Sequence, residues 1–401
     1  MPVHTLRCRA CGAEHPAVAT GSCPRCFGPL EPVYPVASLT REEIEAGPRS
    51  LWRYAALLPV AAPAEQRLTP GFTPLVAAPR LAAALGIGEL WLKLDTANPT
   101  HSFKDRVVAI AAAKAQELGL TTLACSSTGN LAGAVAARAA AEGLEAVVFC
   151  PADLEPEKLA AAAVYGPTIY AVDGNYDHCA RLCVELSFEL PWGFVNVNLR
   201  TYYAEGSKTL AYEIAEQLGW EFPDAVVGPI ASGSLFHKVG RGFSDLRELG
   251  LVEGAVPRLH GGQAAGCSPV EAAFREGTRV APVRPDTIAR SLAIGNPADG
   301  DDAVATARET GGAIYSVPEE EIGENMALLA ETTGVFGETA AGVTLGALRE
   351  AVRRGAIEPH ERVVLLVTGD GLKTPGAVAH TFRPVAIEAD ADALLDRLAA
   401  A

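Results

Sequence analysis

The stretch "RVVAIAAAKAQELGLTTLACSSTGNLAGAVAARAAAEGLEAVVFC" (residues 106–150) states the same pattern twice. "RVVAIAAAKAQELG" has the length and apolar spacing of a helix, and "TTLACSS" is a short apolar strand. "TGNLAGAVAARAAAEG" is a helix again, and "EAVVFC" a strand again. The alternation continues through a helix in "EPEKLAAAAVYG", the strand "TIYAVD", a helix in "DHCARLCVELSFEL" and a strand in "FVNVN". Further on, "DAVVGPI" and "RVVLLVTG" are unbroken apolar runs, as expected of strands buried on both faces. Such alternation predicts the α/β class with doubly wound parallel sheets. Two sheets are expected, one from the middle of the chain and one mainly from its later half. Residues 384–401 read as an acidic helix without evident chemistry.

At 401 residues the chain is long enough for two domains, and 49% hydrophobic residues against 20% charged argue for a packed core. No window reaches the roughly 18 consecutive apolar residues of a membrane span. The first residues, "MPVHTLRCRACG", lack the apolar core of a secretory signal. These features predict a cytoplasmic protein with no membrane partner. The net charge of -15 gives no basic footprint for nucleic acid.

Nine cysteines in such a chain are expected to be reduced. Four of them lie in "CRACGAEHPAVATGSCPRC" as two C-x-x-C pairs, Cys8 with Cys11 and Cys23 with Cys26. Each pair makes one tight knuckle with two thiolates, and two knuckles complete a tetrahedral structural zinc site. Zinc ribbons also serve as interaction or nucleic-acid modules, which is the rival reading of this segment.

Three loops stand where strands end and helices begin. "CSSTGNLAG" (125–133) offers the hydroxyls of Ser127 and Thr128, the amide of Asn130 and a helix N-terminus suited to a carboxylate. An ordinary helix cap by Ser127 or Thr128 explains that stretch equally well. "GPIASGSLFHKVGRGF" (228–243) places Ser232, Gly233, Ser234 and Leu235 at a helix start, a nest for a phosphate but no nucleotide fingerprint. "VVLLVTGDGLKTP" (363–375) ends a buried strand at Thr368. A further oddity lies in "NPTHSFKDR" (98–106), where Lys104 and Arg106 occupy a helix start that favours acidic residues. One reading unites the four. Pyridoxal phosphate needs a Schiff-base lysine, a phosphate cup, a partner for its ring nitrogen and a site for the substrate carboxylate. Lys104, Ser232–Leu235, Thr368 and Ser127–Asn130 supply one of each, and an imine at Lys104 tolerates a helix start better than an ammonium.

"TPGFTPL", "NPTHSFKDR", "SSTGN", "EGSKT", "GGQAAGCSP", "RSLAIGNPADG" and "TGDGLK" together resemble the threonine synthase family, in order from residue 69 to 375. The resemblance implies two doubly wound domains of the tryptophan-synthase-β-like (fold-type II) kind, preceded by a small zinc ribbon. Residues 1–34 would form the ribbon, 100–200 a smaller domain with the lysine, and 35–99 plus 201–401 a larger domain holding the cofactor phosphate. It implies Lys104 as Schiff-base lysine, Phe103 near the ring, Asn130 on the cofactor's phenolic oxygen and Thr368 on its ring nitrogen. Backbone groups of Gly233, Ser234 and Leu235 would hold the phosphate, and Ser127 and Thr128 the substrate carboxylate. The implied reaction converts O-phosphohomoserine and water to threonine and phosphate, with Lys104 moving protons at Cα and Cβ. The partner is then a small phosphorylated amino acid, and the assembly a homodimer.

Two departures stand out. The family often has glycine where this chain has His101. In "NVNLRTYYAEGSKT" (196–209), Asn198, Arg200 and Lys208 are the candidates for the substrate phosphate, but Tyr203 stands where some members carry an arginine. A relative acting on O-phosphoserine, such as cysteate synthase, is therefore the alternative enzyme, and a catalytically silent zinc-binding module the alternative outside catalysis.

Overall fold

The computed structural model describes residues 3–399 except 36, 37, 66, 128 and 155. Its strands, in chain order, are β1 (Thr5–Cys8), β2 (Glu14–Pro16), β3 (Leu30–Pro32), β4 (Leu75–Ala77), β5 (Glu89–Leu94), β6 (Thr122–Ser126) and β7 (Glu145–Pro151). They continue as β8 (Thr168–Val172), β9 (Gly193–Phe194), β10 (Ala225–Pro229), β11 (Arg258–Ala264), β12 (Ile314–Val317) and β13 (Arg362–Val367). The first three form a small antiparallel sheet in the order β2-β1-β3. A four-stranded parallel sheet runs β8-β7-β6-β9. The six-stranded sheet runs β12-β11-β10-β13-β5-β4, parallel throughout except that β4 opposes β5.

The alanine enrichment now has a packing reason. The helices Lys104–Glu117 and Asn130–Glu142 bury Ala109, Ala111, Ala112, Ala134 and Ala136 in one core with Leu123 and Cys125 of β6. Small side chains let helix backbones lie close to the sheet and to each other. Among the described residues, no helix is long and apolar enough to cross a membrane.

"FVNVN" is not a full strand. Only Gly193–Phe194 pairs with β6, because the Asn198 side-chain oxygen takes the Phe194 N–H (2.9 Å) and its amide donates to the Trp192 carbonyl (3.0 Å), turning the chain. Side-chain capture of backbone groups competes with ladder formation.

Each large sheet reverses its winding once. From β10 the order proceeds outward to β11 and β12, while β13 and β5 lie on the other side; from β6 it proceeds to β7 and β8, with β9 opposite. Crevices at such reversals, beyond the carboxyl ends of the strands, are where open α/β sheets hold ligands. Ser232 follows β10, Thr368 follows β13, Ser127 follows β6 and Asn198 follows β9, so all four candidate loops open onto the two reversals.

Candidate active site

The two sheets meet at Lys104. Ser102 forms an antiparallel bridge with Gly369, the Phe103 N–H donates to the Thr368 carbonyl (2.9 Å), and the Asp370 N–H donates to the His101 carbonyl (3.1 Å). This short ladder seats the start of the Lys104 helix on the end of β13. His101 is exposed and has φ 60°, and its ring lies 3.2 Å from the Thr96 carbonyl. A left-handed conformation is the one glycine adopts freely, so the backbone at His101 would accept glycine without strain.

The Lys104 Nζ lies 4.5 Å from the centre of the Phe103 ring and donates to the Tyr203 hydroxyl at 3.2 Å. Burial lowers its pKa from 10.5 to about 8, against an opposing pull from the Glu338 carboxylate. Burial also pushes the Tyr203 phenol up, so the hydroxyl keeps its proton. The unprotonated amine is what attacks a carbonyl. Capture of pyridoxal phosphate by cofactor-free protein is therefore expected to accelerate about tenfold per pH unit and to level off above pH about 8. Stopped-flow absorbance across pH 6–10 would check this, a plateau only near pH about 10 being the behaviour of an unperturbed lysine.

Around this amine lies a carboxylate that the sequence did not mark. Glu338 is buried just before the helix Thr339–Arg353, where an acidic residue reads simply as a complement to the helix dipole. Its side chain instead accepts from the Asn130 amide (3.0 and 3.1 Å), and burial raises its pKa. The Asn130 oxygen accepts from Lys373 (2.8 Å), which also reaches the Thr100 carbonyl (2.6 Å). A Cβ on Gly369 would stand 2.2 Å from a Glu338 carboxylate oxygen, so a side chain there would displace that carboxylate.

The Ser232–Leu235 turn, the candidate cup, opens at a helix N-terminus. Gly233 has φ 91°, and a Cβ there would meet the Asp299 carbonyl at 2.2 Å, so only glycine fits. The Asp299 N–H donates to the Ser232 carbonyl (2.8 Å), and the helix Ser234–Glu248 then presents its first free N–H groups. Ser127 accepts at its hydroxyl from the N–H groups of Gly129 and Ala132 (3.2 Å each), so it caps the Asn130 helix from the loop. Thr128 lies outside the described residues.

Of the three substrate-phosphate candidates, the structure leaves one near the cup. Arg200 pairs with Asp299. Asn198 is committed to the turn after β9, and Lys208 is buried between Glu205 (2.8 Å) and Asp245 (2.9 Å) over the Tyr34 ring. Tyr203 is the residue whose hydroxyl accepts from Lys104.

The residues present fit pyridoxal phosphate. A lysine of lowered basicity faces an aromatic ring, a helix N-terminus with an obligatory glycine opens nearby, and the fully buried Ser102 hydroxyl has no hydrogen-bond partner among the described residues. In the amino-terminal module, the sulfurs of Cys8, Cys11, Cys23 and Cys26 lie within 4.8 Å of one another. Cys8 and Cys26 are 3.5 Å apart and Cys11 and Cys23 3.8 Å. Tetrahedral zinc with thiolate bonds near 2.3 Å requires sulfur separations of about 3.8 Å.

A family profile described as pyridoxal-phosphate dependent enzyme matches residues 67–369. Threonine synthase of Methanosarcina acetivorans is 34% identical over 403 residues, covering 99% of each chain. That of Methanocaldococcus jannaschii is 34% identical over 397 residues, 97% of this chain and 98% of its own. Among solved structures, maize serine racemase superposes with a TM-score of 0.63 at 19% identity, over 82% of this chain and 93% of its own, a likeness of fold.

Proposed function

This chain belongs to the threonine synthases within the pyridoxal-phosphate-dependent enzymes, and we propose that it converts O-phosphohomoserine and water to threonine and phosphate around Lys104. The observation that carries the reading is the Lys104 amine itself, half-buried, lowered to about 8 and held at 3.2 Å by Tyr203 where the loops of both sheets converge.

Bound pyridoxal phosphate supplies the electron sink that stabilises negative charge developing on the substrate's α and β carbons. Lys104 would hold that group and, as a free amine, would carry protons to and from the substrate's Cα and Cβ. Its lowered basicity keeps it able to take a proton near neutral pH. Tyr203 fixes the amine's position and stays protonated while doing so. Thr368 would face the ring nitrogen, Asn130 the phenolic oxygen and Phe103 the ring. Gly233, Ser234 and Leu235 would give backbone N–H groups, with Ser232, to the cofactor phosphate. Ser127 and Thr128 take the substrate carboxylate. Arg200, partly exposed in its pair with Asp299, is the candidate for the substrate phosphate, because Asn198 and Lys208 are buried in internal contacts.

The sulfurs of Cys8, Cys11, Cys23 and Cys26 would hold structural zinc as thiolates, and a cytoplasmic location goes with this reading. A homodimer is the assembly this reading carries. The direct test is phosphate release with product identification. O-Phosphohomoserine alone should yield threonine and phosphate in equal amounts. Cysteate from O-phosphoserine plus sulfite, with the first substrate inert, would replace the proposed reaction by its alternative, and a colourless protein inert to both would mean a silent zinc module.

A further inference from the structure

The cysteine module does not hang at the end of the chain but grips the phosphate cup from two sides. Arg9, between Cys8 and Cys11 in the first knuckle, donates to both carboxylate oxygens of Asp302 (2.9 and 2.7 Å). Asp302 lies in the first turn of the helix Gly300–Glu309. Three residues earlier, Asp299 bonds the Ser232 carbonyl, fills the space a Gly233 side chain would take and pairs with Arg200. On the other side, Glu31 of β3 accepts from Lys238 (3.2 Å), one turn into the helix whose N-terminus is the cup. Lys238 also pairs with Glu205 (2.7 Å), which accepts from the Tyr34 hydroxyl (2.5 Å). Arg9 and Glu31 also pair with each other at 3.4 Å, and beside them lies a cavity of about 30 Å³ walled by both and by Arg200, Ser234, His237 and Asp299. The module and the cup share a wall.

We propose that Arg9 and Glu31 are positioning residues of the cofactor-phosphate cup, so that the folded, metal-bearing module braces the grip on the phosphate. The metal would fix the knuckle that carries Arg9. Arg9 then holds the Asp299–Asp302 turn against Ser232 and Gly233, while Glu31 holds the Ser234 helix. By linkage, a module that tightens the cup is tightened by the cofactor's phosphate to the same degree. The inference rests on the assignment of Ser232–Leu235 as the phosphate cup.

The test compares pyridoxal phosphate with pyridoxal, which lacks the phosphate, on zinc-loaded, cofactor-free full chain. Affinities are read from the absorbance of the lysine-bound cofactor, with zinc content and thermal unfolding checked for each variant. Arg9→Ala and Asp302→Asn should each weaken pyridoxal phosphate about fivefold, the scale of one charge-assisted contact, and leave pyridoxal unchanged. The double variant should lose no more than either single one. Arg9→Lys should recover part of the loss, and Glu31→Gln should weaken the phosphate form in the same selective way. Affinity for pyridoxal phosphate within twofold of the unaltered protein in Arg9→Ala and Glu31→Gln overturns the proposal. Equal weakening of both ligands also overturns it, because it indicates general loosening. If the unaltered protein holds pyridoxal as tightly as pyridoxal phosphate, the cup assignment itself falls.

Discussion

Lys104→Ala is expected to lower threonine formation by about four orders of magnitude, since the side chain is both the covalent anchor and the proton carrier. The change should spare the fold. Its ammonium donates a hydrogen bond only to Tyr203 among the contacts described, and Phe103 and Tyr203 remain to close the space. Lys104→Arg should be no better, because a guanidinium stays protonated and can neither attack a carbonyl nor accept a proton. Two measurements check this. One is kcat with O-phosphohomoserine. The other is the mass of the peptide containing Lys104 after borohydride reduction of the cofactor-loaded protein, which should carry a cofactor-sized adduct in the unaltered chain and none in the variant. Retention of a tenth of the activity, or an adduct on another peptide, would remove Lys104 from the centre of the mechanism.

How much of this was legible differs from element to element. The strands β6 and β7 and the helix between them stand where the alternation of residues 106–150 puts them, because local pattern and burial agree there. The four sulfurs gather as their spacing implies, since each knuckle is a local turn. What escaped reading is non-local. That β5 pairs with β13, more than 250 positions away, is written in no short window. Glu338 resembles any acidic residue before a helix, and its importance appears only when the folded chain brings it to Asn130. Lys208 stands in a motif yet is drawn into an ion cluster by Glu205 and Asp245, each of which lies on another helix. The Asn198 side chain spends itself on its own turn. Residue types announced which chemistries were available. Tertiary partners decided which residues were free to perform them.

Arg106 shows the same division, and its replacement by leucine is expected to destabilise the protein by about 3–5 kcal/mol, enough to dominate its stability. As a second cation in the first turn of the Lys104 helix it opposes the dipole, yet its side chain is wholly buried and faces carboxylates instead. Its guanidinium donates to Asp95 (2.7 and 2.8 Å), to Glu213 (2.8 Å at one nitrogen, with a further contact at the other), to Thr209 (2.9 Å) and to Thr73 (3.0 Å). Lys93 completes the cluster with a bond to Glu213 at 2.6 Å. Two cations and two anions balance. Taking Arg106 away leaves three charges buried with one anion in excess, and it unties the Lys104 helix from the end of β5 and from the helix Lys208–Gln217. Burial raises the Glu213 carboxyl, but Arg106 and Lys93 outweigh that and hold it at about 2, below its ordinary 4.5. A depressed carboxyl contributes stability that is complete above pH 4.5 and is lost as the pH falls through about 2. Without Arg106 the same carboxyl should titrate higher, so acid unfolding of Arg106→Leu should begin at a higher pH as well as from a lower plateau. Urea unfolding across pH 3–8 measures both. A loss below about 1 kcal/mol, the scale of an exposed pair, would mean that the cluster does not anchor the catalytic helix.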